Sequence, residues 1–130
     1  LGLGGFLSLL ADGTSTSPTL RGKFVREMML CQHVPPPPIG ADTDLDAPVP
    51  GKPMTTRQRL DAHRTDPSCA GCHAMMDPIC FGMEHFDAMG AYREKENGLP
   101  IDATGELDGV AFDGLKQLAA AVKRAPEIEG

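Results

Sequence analysis

The chain contains no tryptophan, a single tyrosine and only five phenylalanines in 130 residues, so its own aromatic side chains cannot build a thick core. With 15 glycines and 12 prolines, the sequence points to a domain completed by something besides its own side chains. Basic clusters are missing as well. Twelve Lys and Arg stand against 18 Asp and Glu, a formal net charge of -6, and the absence of a Lys/Arg patch argues against nucleic acid as a partner. A charge of this size on a small domain mainly confers solubility, while also favouring a basic protein partner. Long apolar runs are absent too: Leu1 to Leu10, LGLGGFLSLL, falls far short of the roughly 20 residues that span a bilayer and carries no basic flank, so no membrane span is expected in this segment. The sequence does not begin with Met and shows no signal peptide, and we read it as a mature or excised portion of a longer precursor. No internal repeat, phosphate-binding loop or Ser-His-Asp arrangement is visible.

What is present is Cys69-Ala70-Gly71-Cys72-His73, the C-x-x-C-H pattern of a covalently attached c-type haem. Attachment needs two thiols that add to the two vinyl groups on one porphyrin edge, and residues three apart on a helical turn present both to one side. His73, four residues after Cys69, then points at the iron as the proximal ligand. A haem would also supply the missing apolar mass. The alternatives are a zinc site or a C-x-x-C redox pair. Zinc would need a further ligand, and the chain has no second C-x-x-C or H-x-x-x-H; it could recruit only His33, His63 or Cys31. A thioredoxin-like pair would want a βαβ context, and none precedes Cys69. Haem joins C-x-x-C-H after export, so a periplasmic or extracytoplasmic location is expected.

The surrounding pattern is mainly helical. Ser17-Pro18 reads as an N-cap followed by a first-turn proline, and Leu20, Phe24, Val25, Met28 and Cys31 recur at helical steps to about Leu30. Pro35 to Pro38 then imposes an extended segment, opening a Pro-rich loop over residues 34–53. Thr55-x-x-Gln58 reads as a capping box for a second helix running toward Arg64. The motif helix is expected to close before Pro78, and a short helix is expected over Met83 to Met89, stopped by Gly90. Asn97-Gly98 marks a hairpin turn between Ala91–Glu94 and Leu99–Ala103, and Asp113 caps a last helix from Leu115 to Arg124 before Pro126. His85 is expected on an exposed face. Asp77, Glu84, Asp87 and Asp102 lack EF-hand spacing and are read as caps, turn bonds and an ion pair to Arg93.

An ordered series of segments carries a family resemblance: Thr16 to Lys23, Pro35 to Pro38, Leu60-Asp61-Ala62-His63, the C-x-x-C-H run, Met76-Asp77-Pro78, Phe81-Gly82, Glu84, Phe86-Asp87, Gly90, Arg93 and Ile101 to Gly105. Together they resemble the DUF1588-type domain of planctomycete cytochrome-like proteins, over roughly Leu7 to Leu118. The resemblance implies a c-type haem and an extracytoplasmic location, and brings no established substrate. It also implies a division into a haem domain, 1–111, and a C-terminal helix, 112–130, that begins a following domain.

The sixth iron ligand stays open among three readings. His63 lies ten residues before His73, near the end of a helix and in the L-x-x-H segment of the resemblance; it would give a His-iron-His site of lower potential than Met-His ligation. Met89 is the alternative, since Met75 and Met76 follow His73 too closely to reach the opposite face. An open distal site is the third. The two remaining thiols, Cys31 and Cys80, would form a disulfide in an oxidising compartment, closing a loop worth roughly 4 kcal/mol in the chain-entropy model; two unpaired thiols are the alternative. The expected protein is thus mainly α, a small cytochrome c-like helical domain around one covalent haem with a long Pro-rich loop and a short β-hairpin. It would transfer one electron between redox protein partners, as part of a larger protein or complex. A peroxidase- or oxidase-like enzyme with an open distal site, and a zinc-stabilised interaction module, are the competing readings.

Overall fold

Proline and capping side chains decide where the helices begin. In a computed structural model that describes residues 1–45 and 49–129, the chain has six α-helices and two small antiparallel strand pairs among the described residues. The three residues from Asp46 to Pro48, within the expected Pro-rich loop, lie outside that description. Helix α1 covers Gly4–Leu9, and α2, Pro18–Phe24, starts on its proline, whose missing N–H is not needed at that position. Helix α3, Thr56–His63, has both arms of the capping box: Thr55 Oγ1 accepts from the Gln58 N–H at 3.2 Å, and Gln58 Oε1 accepts from the Thr55 N–H at 3.0 Å. Helix α4, Pro67–Cys80, again begins on a proline, and Asp66 caps it by accepting from the Ser68 N–H at 2.8 Å.

Three local expectations need correction. The first helix does reach Leu30, but its second half, Val25–Met29, is π-helical, with the Leu30 N–H donating to the Val25 carbonyl five residues back; Cys31, at φ 53°, ends it. The motif helix does not stop at Pro78. Burial of Ile79 and Cys80, both fully enclosed, outweighs the local penalty of a proline in the last turn. The helix expected over Met83 to Met89 is replaced by a single 3-10 turn, Phe81–Met83, and a tight loop. Asp87 Oδ1 accepts from the N–H groups of both Met89 and Ala91, and the guanidinium of Arg21 captures the carbonyls of Phe86 and Asp87, so these groups are taken from any helical ladder.

The predicted Asn97-Gly98 turn is present, but its first strand is β1 Lys95–Glu96 and not Ala91–Glu94, pairing with a β2 of only Leu99–Pro100; Asn97 and Gly98 are both at positive φ, as a two-residue turn of this kind requires. A second hairpin, β3 Thr104–Leu107 with β4 Val110–Asp113, turns on Asp108-Gly109 and was not expected. The helix expected from Leu115 to Arg124, α5, covers Gly114–Lys123, and Pro126 opens a further short helix, α6, Pro126–Glu129. Residue 112, the expected boundary, lies within β4: Phe112 pairs with Gly105 and packs with Ile79, Phe81, Met83 and Leu118 in one core. No helix among the described residues is long and apolar enough to cross a membrane.

Candidate functional site

Helix α4 sets the thiols and the imidazole. Its N-terminus is fixed by Asp66, and Cys69, Cys72 and His73 follow at steps of three and four, so all three side chains fall on one side. That side lines a cavity of about 660 Å³, within the ~300–1,000 Å³ range of cofactor sites. Opposite walls come from Pro18 and Leu20 of α2, from Pro35, Pro37 and Pro38 of the loop, and from Leu60 and His63 of α3. Leu20, on this lining, is 48% exposed. Three aspartates, Asp12, Asp42 and Asp44, and two cations, Lys23 and Arg59, stand on the polar part of the lining.

The placement of α3 brings its last residue to the motif. Its first turn is tied to the hairpin: the Thr56 N–H and hydroxyl donate to the Glu96 carboxylate at 2.7 and 2.6 Å. The Arg57 guanidinium lies 4.2 Å over the ring of Phe81. With the helix so fixed, the His63 ring sits 5.1 Å from that of His73, edge to face at 67°. The other expected distal ligand, Met89, is 75% exposed on the loop before Gly90 and takes no part in the cavity. His33 is exposed, Met76 is buried, and His85 is half-buried rather than exposed, its Nδ1 2.8 Å from the Arg93 carbonyl and its ring stacked on Tyr92.

His73 Nδ1 lies 2.9 Å from Oδ2 of Asp77, one turn further along α4, which leaves Nε2 free to face the cavity. Asp77 is fully buried, and that burial raises its pKa against the pull of His73 and of the Thr19 hydroxyl, 3.3 Å from Oδ1. The i, i+4 spacing of His73 and Asp77 was the available signal for this pair in the sequence. Both expected bridge partners are free thiols. Cys31 is exposed at the end of the first helix, whereas Cys80 is enclosed, its Sγ donating to the Asp77 carbonyl at 2.9 Å while burial pushes its pKa up. Among the described residues, no group of three or more His, Cys, Asp and Glu side chains is placed to share a metal ion.

A second polar cluster lies behind the cavity, and the part played in it by Arg21 and Thr16 escaped the sequence reading. Arg21 is fully buried and donates to the carbonyls of Leu7, Met83, Phe86 and Asp87 at 2.9 to 3.2 Å. Beside it, Glu84 accepts from the Thr16 hydroxyl at 3.1 Å and from Arg93 at 3.3 Å, the ion pair expected from the sequence. Thr16 also lines the cavity, so this cluster touches its edge.

Comparison with protein families matches residues 1–96 to PSCyt3, described as a protein of unknown function (DUF1588). No curated protein and no solved structure matches.

Proposed function

The chain belongs to the PSCyt3 family, proteins of unknown function (DUF1588), and from that premise we propose that it is a c-type cytochrome domain transferring one electron between protein partners outside the cytoplasm. The observation that carries this reading is one cavity lined by Cys69, Cys72, His73 and His63 together. The donor set fits the group. Two thiols within one helical turn suit two thioether bonds, and the free Nε2 of His73 suits an iron atom. Bound there, a haem would supply the Fe(III)/Fe(II) couple, which no protein side chain offers.

The chain's own residues would do the rest. His73, and with it His63, are the imidazoles that would hold the iron. Leu20, Leu60 and the loop prolines would exclude water from the apolar faces. Lys23 and Arg59 are the cations on the lining able to neutralise carboxylate substituents. The apolar lining and the imidazoles of His73 and His63 would both act on the potential of the group they hold.

The test is expression in a host that matures cytochromes c, followed by oxidised and reduced absorption spectra, a pyridine haemochrome assay and addition of carbon monoxide. The expected product carries one covalent haem with a low-spin spectrum indifferent to carbon monoxide. Cys69→Ala with Cys72→Ala should abolish covalent attachment, and His63→Ala should make the reduced form bind carbon monoxide. A native chain that is already high-spin and binds carbon monoxide would replace the carrier reading with that of a haem enzyme having an open distal site. A haem-free chain holding stoichiometric zinc would overturn both.

A further inference from the structure

We infer that Asp77 is a positioning residue: its carboxylate holds the Nδ1–H of His73 and so lowers the Fe(III)/Fe(II) potential of a haem bound through Nε2. The inference rests on the haem reading above. Its starting point is a contact that the fold has no structural need to make. Asp77 is fully enclosed between α2 and α4, although an apolar residue of its size would fill that space without taking a charge out of water. It is not a cap, since it lies in the interior of α4, and Cys80 Sγ donates to its backbone carbonyl, leaving the carboxylate free for other partners. Its two oxygens have one side-chain partner each: Oδ2 faces His73 Nδ1 at 2.9 Å, and Oδ1 accepts from the Thr19 hydroxyl at 3.3 Å.

The consequence follows from the chemistry of imidazole. When Nε2 gives its lone pair to a metal, the ring proton must sit on Nδ1, where Asp77 accepts it and fixes both tautomer and ring plane. A carboxylate behind Nδ1 draws that proton toward itself and leaves more electron density on the ring, making it the more basic ligand. The ferric ion carries one more positive charge than the ferrous, so a more basic ligand and a buried negative charge close by both favour Fe(III). Thr19 acts in the opposite sense. By donating to Oδ1 from α2 it disperses the carboxylate charge and moderates the effect on His73.

The two residues therefore predict shifts of opposite sign, which a purely structural role would not produce. Redox titration of the haem-loaded chain should find the Asp77→Asn variant easier to reduce by about tenfold or more in the equilibrium constant, ~59 mV for each tenfold in a one-electron couple. Thr19→Val should be harder to reduce, by about twofold or more. In a His63→Ala background, resonance Raman of the ferrous protein should place the iron–His73 stretch at lower frequency once Asp77→Asn is added. Potentials and stretching frequency unchanged by these substitutions would overturn the role of Asp77 and leave the haem intact. A native chain that never acquires haem would overturn the reading beneath it as well. Should Asp77→Asn fail to mature, Thr19→Val decides alone: a lowered potential upholds the inference and an unaltered one ends it.

Discussion

Glu84 is a carboxylate held in a place that favours its proton. It is 2% exposed, and burial pushes its pKa up from 4.5 to about 7, against the opposing pull of Arg21 and Arg93. Its Oε1 and the Nε of Arg21 have no hydrogen-bond partner, and the arginine, whose other donors go to backbone carbonyls, reaches the acid only as a long ion pair of 3.9 Å. Because the folded-state pKa lies above that of the unfolded chain, the folded state binds this proton more tightly. The stability that Glu84 contributes is therefore complete below pH 4.5 and is lost as the pH rises through 7. Denaturant titrations of Glu84→Gln and the native chain at pH 4.5 and pH 8 should differ accordingly. The variant should gain on the native protein by about 3 kcal/mol between those two pH values; a gap that stays constant with pH would contradict the account.

Helices α2 and α4 form the wall of the cavity, and Gly22 sets how closely they approach. A Cβ at Gly22 would overlap the Met76 carbonyl of α4, which is backbone and cannot turn aside. Gly22→Ala should force the helices apart and cost about 2–3 kcal/mol in thermal or denaturant unfolding, with covalent haem yield falling alongside; an alanine variant as stable as the native chain would show the contact to be slack. Much of the element level was legible from local chemistry. Thr55 and Gln58 announce α3, Pro18 announces α2 although Ser17 makes no side-chain capping bond, and Asn97-Gly98 announces the hairpin turn, because in each case the residues that form the structure lie within a few positions of one another. What was not legible depends on partners far along the chain. The loop after Met83 is shaped by Arg21, more than sixty residues earlier, and the continuation of α4 through Pro78 depends on the burial of Ile79 and Cys80. At the candidate site, the thiols and His73 could be read from spacing and His63, one of three readings, from its place before the motif and the family resemblance, whereas the walls supplied by Leu20 and the loop prolines, and the contact from Thr19, required the fold.

At the scale of the whole molecule, the core lies directly beside the thiol-lined cavity. Leu7, Leu30, Leu60, Ile79, Phe112 and Leu118 belong to the core, and Leu60 also faces the cavity, so the two share a wall. A group filling about 660 Å³ on that wall would extend the apolar interior of a chain that has little aromatic mass of its own. Haem-loaded protein should accordingly unfold well above the haem-free Cys69→Ala, Cys72→Ala form, by about 10 °C or more when each kcal/mol moves a midpoint by several degrees. Coincident melting of the two forms, read by circular dichroism, would mean that the cavity is stabilised without a guest. The side of the cavity built by Pro35, Pro37 and Pro38 has a further consequence. Each pyrrolidine ring locks its own backbone torsion, so this stretch surrendered its freedom when the peptide was made, not when a ligand arrives. A wall of that kind has little disorder left to lose, and the entropic penalty of enclosing a guest falls on the rest of the chain.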